Sequence, residues 1–186
     1  MEANYLYHES NLQNKIDNNY KSKGVTFSKF KSENYDSYKQ QQLLTIGISK
    51  IDIKKKIKLI SQYYKKVDVL NKLNWITAQS KFRPTILEEF CGFLFKDIPE
   101  IKSLGLGFFN KKVYAGISID NKGQPIIKTK DIDFCIGKEI EVDFGEIKTK
   151  VIIPIIAIEC KTYLDKTMFS ESQFTAQKLK QGSPNV

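Results

Sequence analysis

The chain has 186 residues, 41% of them hydrophobic, and a formal net charge of +9, which fits one soluble globular domain with a sizeable core. Its densest apolar run, residues 151–158, is far shorter than the roughly 20 residues of a membrane-spanning helix. The first residues lack the pattern of a signal peptide, so we expect a cytoplasmic protein without membrane contact. The single histidine, His8, argues against chemistry that needs a histidine base or several histidine ligands.

The cysteines and the net charge further limit the class of protein to which the chain can belong. Cys91, Cys135 and Cys160 lie far apart, which indicates neither a disulfide framework nor a zinc cluster, so we expect buried, inert thiols. The excess positive charge favours nucleic acid as the partner. A basic surface that serves only solubility explains the charge about equally well.

The N-terminal half divides into two predicted segments. Residues 1–35 are polar and predict a loosely ordered arm or a short helix with loops. Residues 36–80 form a basic segment, in which apolar residues at steps of three and four over residues 49–73 predict an amphipathic helix. These apolar residues are Ile53, Ile57, Ile60, Tyr64 and Val67. The lysines of the opposite face are either solvated or follow phosphates: Lys50, Lys54, Lys55, Lys56, Lys58, Lys65, Lys66 and Lys72.

The third predicted segment, residues 81–186, forms the core of the chain. Its first helix covers residues 84–97, because Pro84 suits a first helical turn, with Leu87, Phe90, Cys91 and Leu94 as its inner stripe. Glu88 and Glu89 are embedded in this apolar helix, although carboxylates near a helix N-terminus also occur for dipole reasons alone.

Strands follow the helix. Residues 113–119 and 126–136 predict a hairpin about a turn at residues 120–123, and residues 138–144 and 147–153 predict a second hairpin about Gly145. A buried strand over residues 155–161 precedes a helix over residues 167–181. This order predicts a mixed α/β domain.

The charged residues of two strands form a candidate site. Glu159 and Lys161 share one face at the end of a buried strand, where they are costly unless they pair or bind something. On residues 130–136, alternation places Asp131, Asp133 and Cys135 on one face, and Ile132, Phe134 and Ile136 on the other. If the two strands are neighbours, Asp133 reaches Glu159.

Two carboxylates beside a lysine suit a hard cation such as Mg²⁺. Phosphodiester hydrolysis needs charge neutralisation, an activated water and a stabilised leaving oxygen, all of which Mg²⁺ held by Asp133 and Glu159 can supply. Lys161 would orient or help deprotonate the water and counter charge on the phosphate.

These residues resemble a known superfamily. Asp133-Phe134-Cys135-Ile136 followed by Glu159-Cys160-Lys161 is similar to the PD-(D/E)xK nuclease motif, with Ile132 at the place of the proline and Asp131 as a rival register. Residues 158–168 and 83–90 also resemble type II restriction endonucleases of the Bpu type, over roughly residues 81–184. The resemblance implies an α/β (α+β) restriction-endonuclease-like fold, a mixed β-sheet flanked by helices, with a helical N-terminal part. It also implies a helical glutamate beside the metal, Glu88, with Glu89 as the fallback.

The function that this resemblance implies is a Mg²⁺-dependent type II restriction endonuclease that cuts double-stranded DNA at a specific sequence. It implies a homodimer or a second nuclease subunit, and a separate methyltransferase. The alternatives are a structure-specific repair, recombination or mobile-element nuclease of the same fold, and a non-catalytic DNA-binding remnant. Because such sheets continue after the final helix, the chain is expected to be a fragment, a truncated reading frame or one part of a split enzyme.

Six further residues are candidate DNA contacts, with an ordinary exposed surface as the alternative for each. They are Lys81, Arg83, Lys111, Lys112, Gln173 and Gln177. The sequence has no GxxxxGK[ST] phosphate loop, which argues against intrinsic use of ATP.

Overall fold

The computed structural model describes residues 4–77, 81–145 and 148–186. The chain forms two compact units, residues 1–98 and 99–186, called here the first unit and the second unit. The expected boundary between residues 80 and 81 lies partly outside the described residues. The helix expected to open the nuclease core belongs to the first unit, because it packs against the N-terminal helix.

The first unit is helical, and its N-terminal residues are more ordered than the expected arm. Leu12, Phe27, Phe30 and Tyr35 are buried, so apolar side chains spaced along a polar segment anchor it in a core. A π-helical turn, Lys31–Tyr35, joins the second and third helices, and a short 3₁₀ turn covers Tyr20–Ser22. The α-helices are α1 (Tyr7–Asp17), α2 (Gly24–Phe30), α3 (Asp36–Leu44), α4 (Lys50–Lys72) and α5 (Phe82–Phe95).

Helix α4 begins at a capping box, in which the Ser49 side chain accepts a hydrogen bond from the Asp52 amide and the Asp52 side chain accepts one from the Ser49 amide. Its buried stripe differs from the predicted one: it consists of Lys56, Ile60, Tyr63, Val67 and Leu70, whereas Ile53 and Ile57 are exposed. The pattern of apolar residues therefore gave the helix correctly but misplaced part of its buried face.

Lys56 is the reason for this shift. Its side chain is fully buried, and its ammonium donates to Asp97 Oδ2 at 2.8 Å and to the Gly47 carbonyl at 3.1 Å. This lysine is an internal ion-pair partner, while the other seven lysines of the predicted basic face are exposed.

The second unit contains a three-stranded antiparallel sheet with the order β1-β2-β3. The two predicted hairpins and the following strand merge into three long strands, because β2 continues through Gly137, which faces Pro154 across an irregular step in the ladder. Ile147, the first residue of one predicted strand, lies outside the described residues. The elements are α6 (Pro99–Ser103), β1 (Gly107–Ile119), β2 (Pro125–Asp143), β3 (Lys148–Ile158) and α7 (Lys166–Gly182).

Helix α7 covers one face of this sheet. Leu179 packs with Val113, Ile132 and Cys135 in the buried core of the second unit, and burial raises the pKa of the Cys135 thiol to about 12, as expected for an inert cysteine. Among the described residues, no helix combines the length and the apolar character needed to cross a membrane.

Candidate active site

An irregularity in β2 shapes the candidate site. Phe109 pairs with Cys135 and Lys111 with Ile132, so two steps along β1 face three steps along β2. The extra residue forms a β-bulge at Asp133 and Phe134, and bulges commonly redirect side chains next to active sites. The predicted alternation is wrong here, because Ile132 and Cys135 lie in the same core while Phe134 packs against Phe108 at a ring distance of 5.6 Å.

The end of β3 lies beside this bulge. The strand ends at Ile158, which pairs with Phe134, three residues before the predicted end at Lys161. The Cys160 amide then donates to Asp133 Oδ2 at 2.8 Å. This hydrogen bond fixes the Asp133 carboxylate against the segment that carries Glu159 and Lys161.

Three of the four predicted catalytic residues, Asp133, Glu159 and Lys161, come together at this point. Lys161 Nζ lies 3.0 Å from Glu159 Oε2 and 3.8 Å from Asp133 Oδ2. All three side chains remain partly accessible, with exposed fractions of 31% for Asp133, 19% for Glu159 and 30% for Lys161. The group is thus held by the sheet yet open to a ligand.

Burial and charge act on the ionisation of this group in opposite senses. Partial burial raises the pKa of Glu159, and repulsion from Asp133 adds to this, while the hydrogen bond from Lys161 opposes it. Burial by itself would lower the pKa of Lys161, but the hydrogen bond to Glu159 and the attraction of both carboxylates outweigh it and raise that pKa. Two acids that crowd each other around one ammonium are typical of a site that gains from a bound cation.

The two carboxylates suit a hard divalent cation such as Mg²⁺. Within the described parts of the chain, no group of three or more His, Cys, Asp and Glu side chains is placed to hold a metal ion. Mg²⁺ does not need such a cage, because it keeps several waters and binds through one or two carboxylates together with substrate phosphates. Asp133 and Glu159 therefore fit a hydrated divalent cation such as Mg²⁺.

The rival aspartate is placed differently. Asp131 is exposed on β2 and pairs with Lys112 of β1, whereas Asp133 is the aspartate that contacts Cys160 and Lys161. The geometry thus favours the register in which Asp133 faces the triplet.

The two helical glutamates belong to the first unit, on α5. Glu89 is fully buried, and its carboxylate accepts hydrogen bonds from the backbone amides of His8 and Glu9, both at 3.1 Å, and from the Tyr35 hydroxyl at 3.0 Å. Glu89 therefore caps the first turn of α1. Glu88 is 8% exposed on the same helix.

The candidate DNA contacts fall into two groups. Arg83 is engaged within the first unit, because its guanidinium pairs with Asp68 at 2.5 Å and lies 5.3 Å from the centre of the Tyr64 ring. The others have exposed side chains at the N-cap of α5 and on β1 and α7: Lys81, Lys111, Lys112, Gln173 and Gln177.

Sequence reasoning missed three lysines that border a groove in the second unit, Lys128, Lys130 and Lys178. The first two alternate along β2, and the third lies four residues after Phe174 on α7. Both spacings place side chains on one face, and this was the signal that could have found them.

Comparisons with known proteins identify the family and the fold. Residues 79–186 match the profile of the family described as Bpu10I restriction endonuclease. Among solved structures, a chain described as "native BbvCI A2B2 tetramer at low resolution" superposes with a TM-score of 0.74 at 18% identity, covering 98% of this chain and 71% of that chain. Curated proteins gave no match. At this identity the structural likeness concerns the fold, and it confirms the predicted restriction-endonuclease-like class.

Proposed function

Since the chain belongs to the Bpu10I restriction endonuclease family, we propose that it is a Mg²⁺-dependent type II restriction endonuclease that hydrolyses phosphodiester bonds of double-stranded DNA at a specific sequence. The observation that carries the proposal is the convergence of Asp133 and Glu159 on the Lys161 ammonium. The charge of this group matches its task, because two carboxylates can hold a divalent cation and the ammonium can face a phosphate.

The roles of the side chains follow from their positions. Asp133 and Glu159 would hold Mg²⁺, which when bound neutralises phosphate charge and activates water. Lys161 donates to Glu159, and from this position its ammonium would orient the attacking water and offset charge that develops on the phosphate. The Cys160 amide keeps Asp133 in position through its hydrogen bond.

We retain Glu88 as a fourth catalytic candidate on the strength of the family resemblance. The Glu89 carboxylate already accepts hydrogen bonds from the amides of His8 and Glu9 at the N-terminus of α1, which supports the choice of Glu88 over Glu89. A Glu88→Gln variant should lose cleavage activity without the change in pH-dependent stability that we predict below for Glu89.

Cutting both strands requires more than one active site, because one site cuts one strand per event. We therefore propose a homodimer or a second nuclease subunit, and the description of the BbvCI structure as an A2B2 tetramer supports an assembly of this kind. A separate cognate methyltransferase and a cytoplasmic location belong to the same proposal.

The test is cleavage of unmethylated phage DNA with Mg²⁺, beside an EDTA control. The wild-type protein should give discrete fragments, and Lys161→Ala and Asp133→Asn should be slower by about 10²- to 10³-fold, the loss typical of removing one stabilising group. Glu141→Gln, which removes an exposed carboxylate of β2, is the matched control and should cut like wild type. Asp131→Asn tests the rival register and should also remain active.

The outcomes separate the alternatives. Degradation without discrete fragments would indicate a nuclease that recognises DNA structure and not sequence. Intact DNA in every lane, from a protein whose circular dichroism shows it to be folded, would contradict an active homodimer and leave a chain that needs a second subunit or only binds DNA.

A further inference from the structure

An open groove of about 700 Å³ lies between α7 and the β1–β2 hairpin of the second unit. At the bottom of the groove the backbones of α7 and β1 are in close contact, because Gly182 of α7 packs directly on the main chain of Ala115 and Gly116. Lys128 and Lys130 of β2 line one side, and Lys178 of α7 lines the other.

The groove is cationic. Its lining residues include three lysines and no carboxylate, and none of these lysines forms an ion pair with a residue that the structure describes. Phe174 lies between the two sides, with its ring centre 6.0 Å from Lys130 Nζ and 5.3 Å from Lys178 Nζ. An aromatic ring near both ammonium groups offers a modest attraction but leaves their charge available for an anion.

The groove is linked to the candidate active site through β2. Lys130 and Lys128 precede Asp133 by three and five residues, which corresponds to about 10 and 17 Å along a strand. By alternation both lysines share the face of Ile132, the face that packs against Leu179 of α7. At the same time β3 ends opposite Phe134, so the lysines lie on the part of the β1–β2 hairpin that extends beyond the catalytic residues.

We propose that this groove binds the phosphate backbone of the DNA a few nucleotides from the scissile bond, an inference that rests on the proposed function. Three ammonium groups around an open groove match a series of phosphates, since lysine binds phosphate as a mobile point charge without demanding one geometry. Such contacts hold the duplex in register without reading its sequence.

The experiment measures binding of the full chain to a labelled duplex of about 30 base pairs in EDTA, by fluorescence anisotropy, over a series of salt concentrations. The test variant carries Lys128→Gln, Lys130→Gln and Lys178→Gln. The control variant carries Lys102→Gln, Lys138→Gln and Lys180→Gln, three exposed lysines outside the groove, so both variants lose the same charge. Circular dichroism and thermal unfolding check that each remains folded.

Each phosphate contact contributes about 0.9 to the slope of log K against log salt. The groove variant should therefore lose about three from this slope and about 10²- to 10³-fold in affinity at 0.1 M salt, and Lys178→Gln alone should lose about one. The control variant should keep the wild-type slope.

Equal slopes for the two triple variants, an unchanged groove variant, or a wild type that does not bind DNA would each overturn the proposal. Cleavage separates this result from the proposed function. A groove variant with weaker binding should need more DNA for half-maximal cleavage at an unchanged maximal rate. Wild-type binding with the expected slopes but no cleavage would contradict cleavage by this chain alone and leave the groove as a DNA-binding site.

Discussion

Two buried titratable side chains in the first unit should make its stability depend on pH in a defined way. His8 is enclosed between Thr85, 3.1 Å from Nδ1, and Tyr63, 2.7 Å from Nε2, and burial lowers its pKa to about 3. Glu89 is equally buried, and burial raises its pKa to about 8 although the His8 amide and other donors oppose the shift. The folded chain thus disfavours charge on both groups.

The sign of each effect follows from linkage. The folded pKa of Glu89 lies above its ordinary value of 4.5, so its stabilising contribution is complete below pH 4.5 and is lost as the pH rises towards 8. The folded pKa of His8 lies below its ordinary value of 6.5, so its contribution is complete above pH 6.5 and is lost as the pH falls towards 3. Between pH 4.5 and 6.5 the two slopes oppose each other.

The interval from pH 6.5 to 8 therefore isolates Glu89. One pH unit corresponds to about 1.36 kcal/mol for one proton. Because Glu89 is half ionised at pH 8 and unfolded His8 is half protonated at pH 6.5, the free energy of unfolding should fall by about 1 to 1.5 kcal/mol over this interval. Glu89→Gln cannot ionise and should remove this decline. Glu33→Gln changes a glutamate that is 58% exposed in a surface ion pair and should leave the decline unchanged.

The measurement is urea unfolding at pH 6.5 and 8, followed by the fluorescence of Trp75, which is the only tryptophan and lies in the first unit. Glu89→Gln with a decline as large as that of the wild type would refute the assignment of this pH dependence to Glu89. A His8→Gln variant tests the other limb, where it should flatten the loss of stability between pH 4.5 and 3.

Two further substitutions test packing. Asp97→Ala leaves the buried Lys56 ammonium without its carboxylate and should destabilise the first unit by about 3 to 5 kcal/mol; a loss below about 1 kcal/mol in urea unfolding would contradict the buried ion pair. Gly182→Ala places a methyl group against the main chain of β1 and should destabilise the second unit by about 1 to 3 kcal/mol, and an unchanged thermal unfolding midpoint would show that α7 does not pack as described.

The grouping of Asp133, Glu159 and Lys161 could be predicted because it depends on neighbours in sequence. Antiparallel strands that follow each other in the chain usually pair, and β2 and β3 are such strands. An aspartate in one strand and an acid-x-lysine triplet at the end of the next then come together with no information from distant segments.

The core of the first unit could not be predicted in the same way, since distant residues determine it. The Glu89 carboxylate accepts a hydrogen bond from the amide of His8, 81 positions away in the sequence. Lys56 can be buried because its ammonium donates to Asp97, which lies 41 positions away. Hydrophobic periodicity treats a lysine as an exposed residue. It also gives little weight to a few buried aromatic residues in a mostly polar segment. It therefore misses the contact of Glu89 with His8 and the contact of Lys56 with Asp97.

The bulge in β2 joins the packing of the second unit to its proposed chemistry. The sequence from Asp131 to Phe134 alternates polar and apolar residues without interruption, which predicts that Ile132 and Phe134 share a face. The structure buries them on opposite faces, Ile132 beneath α7 and Phe134 against Phe108, and a regular ladder cannot satisfy both. One extra residue resolves the conflict, and Asp133 is the residue at that point. The approach of the three proposed catalytic residues follows from the pairing of neighbouring strands, but the orientation of the Asp133 carboxylate towards Cys160 depends on how the two faces of the sheet pack. A single strand's sequence does not carry that information.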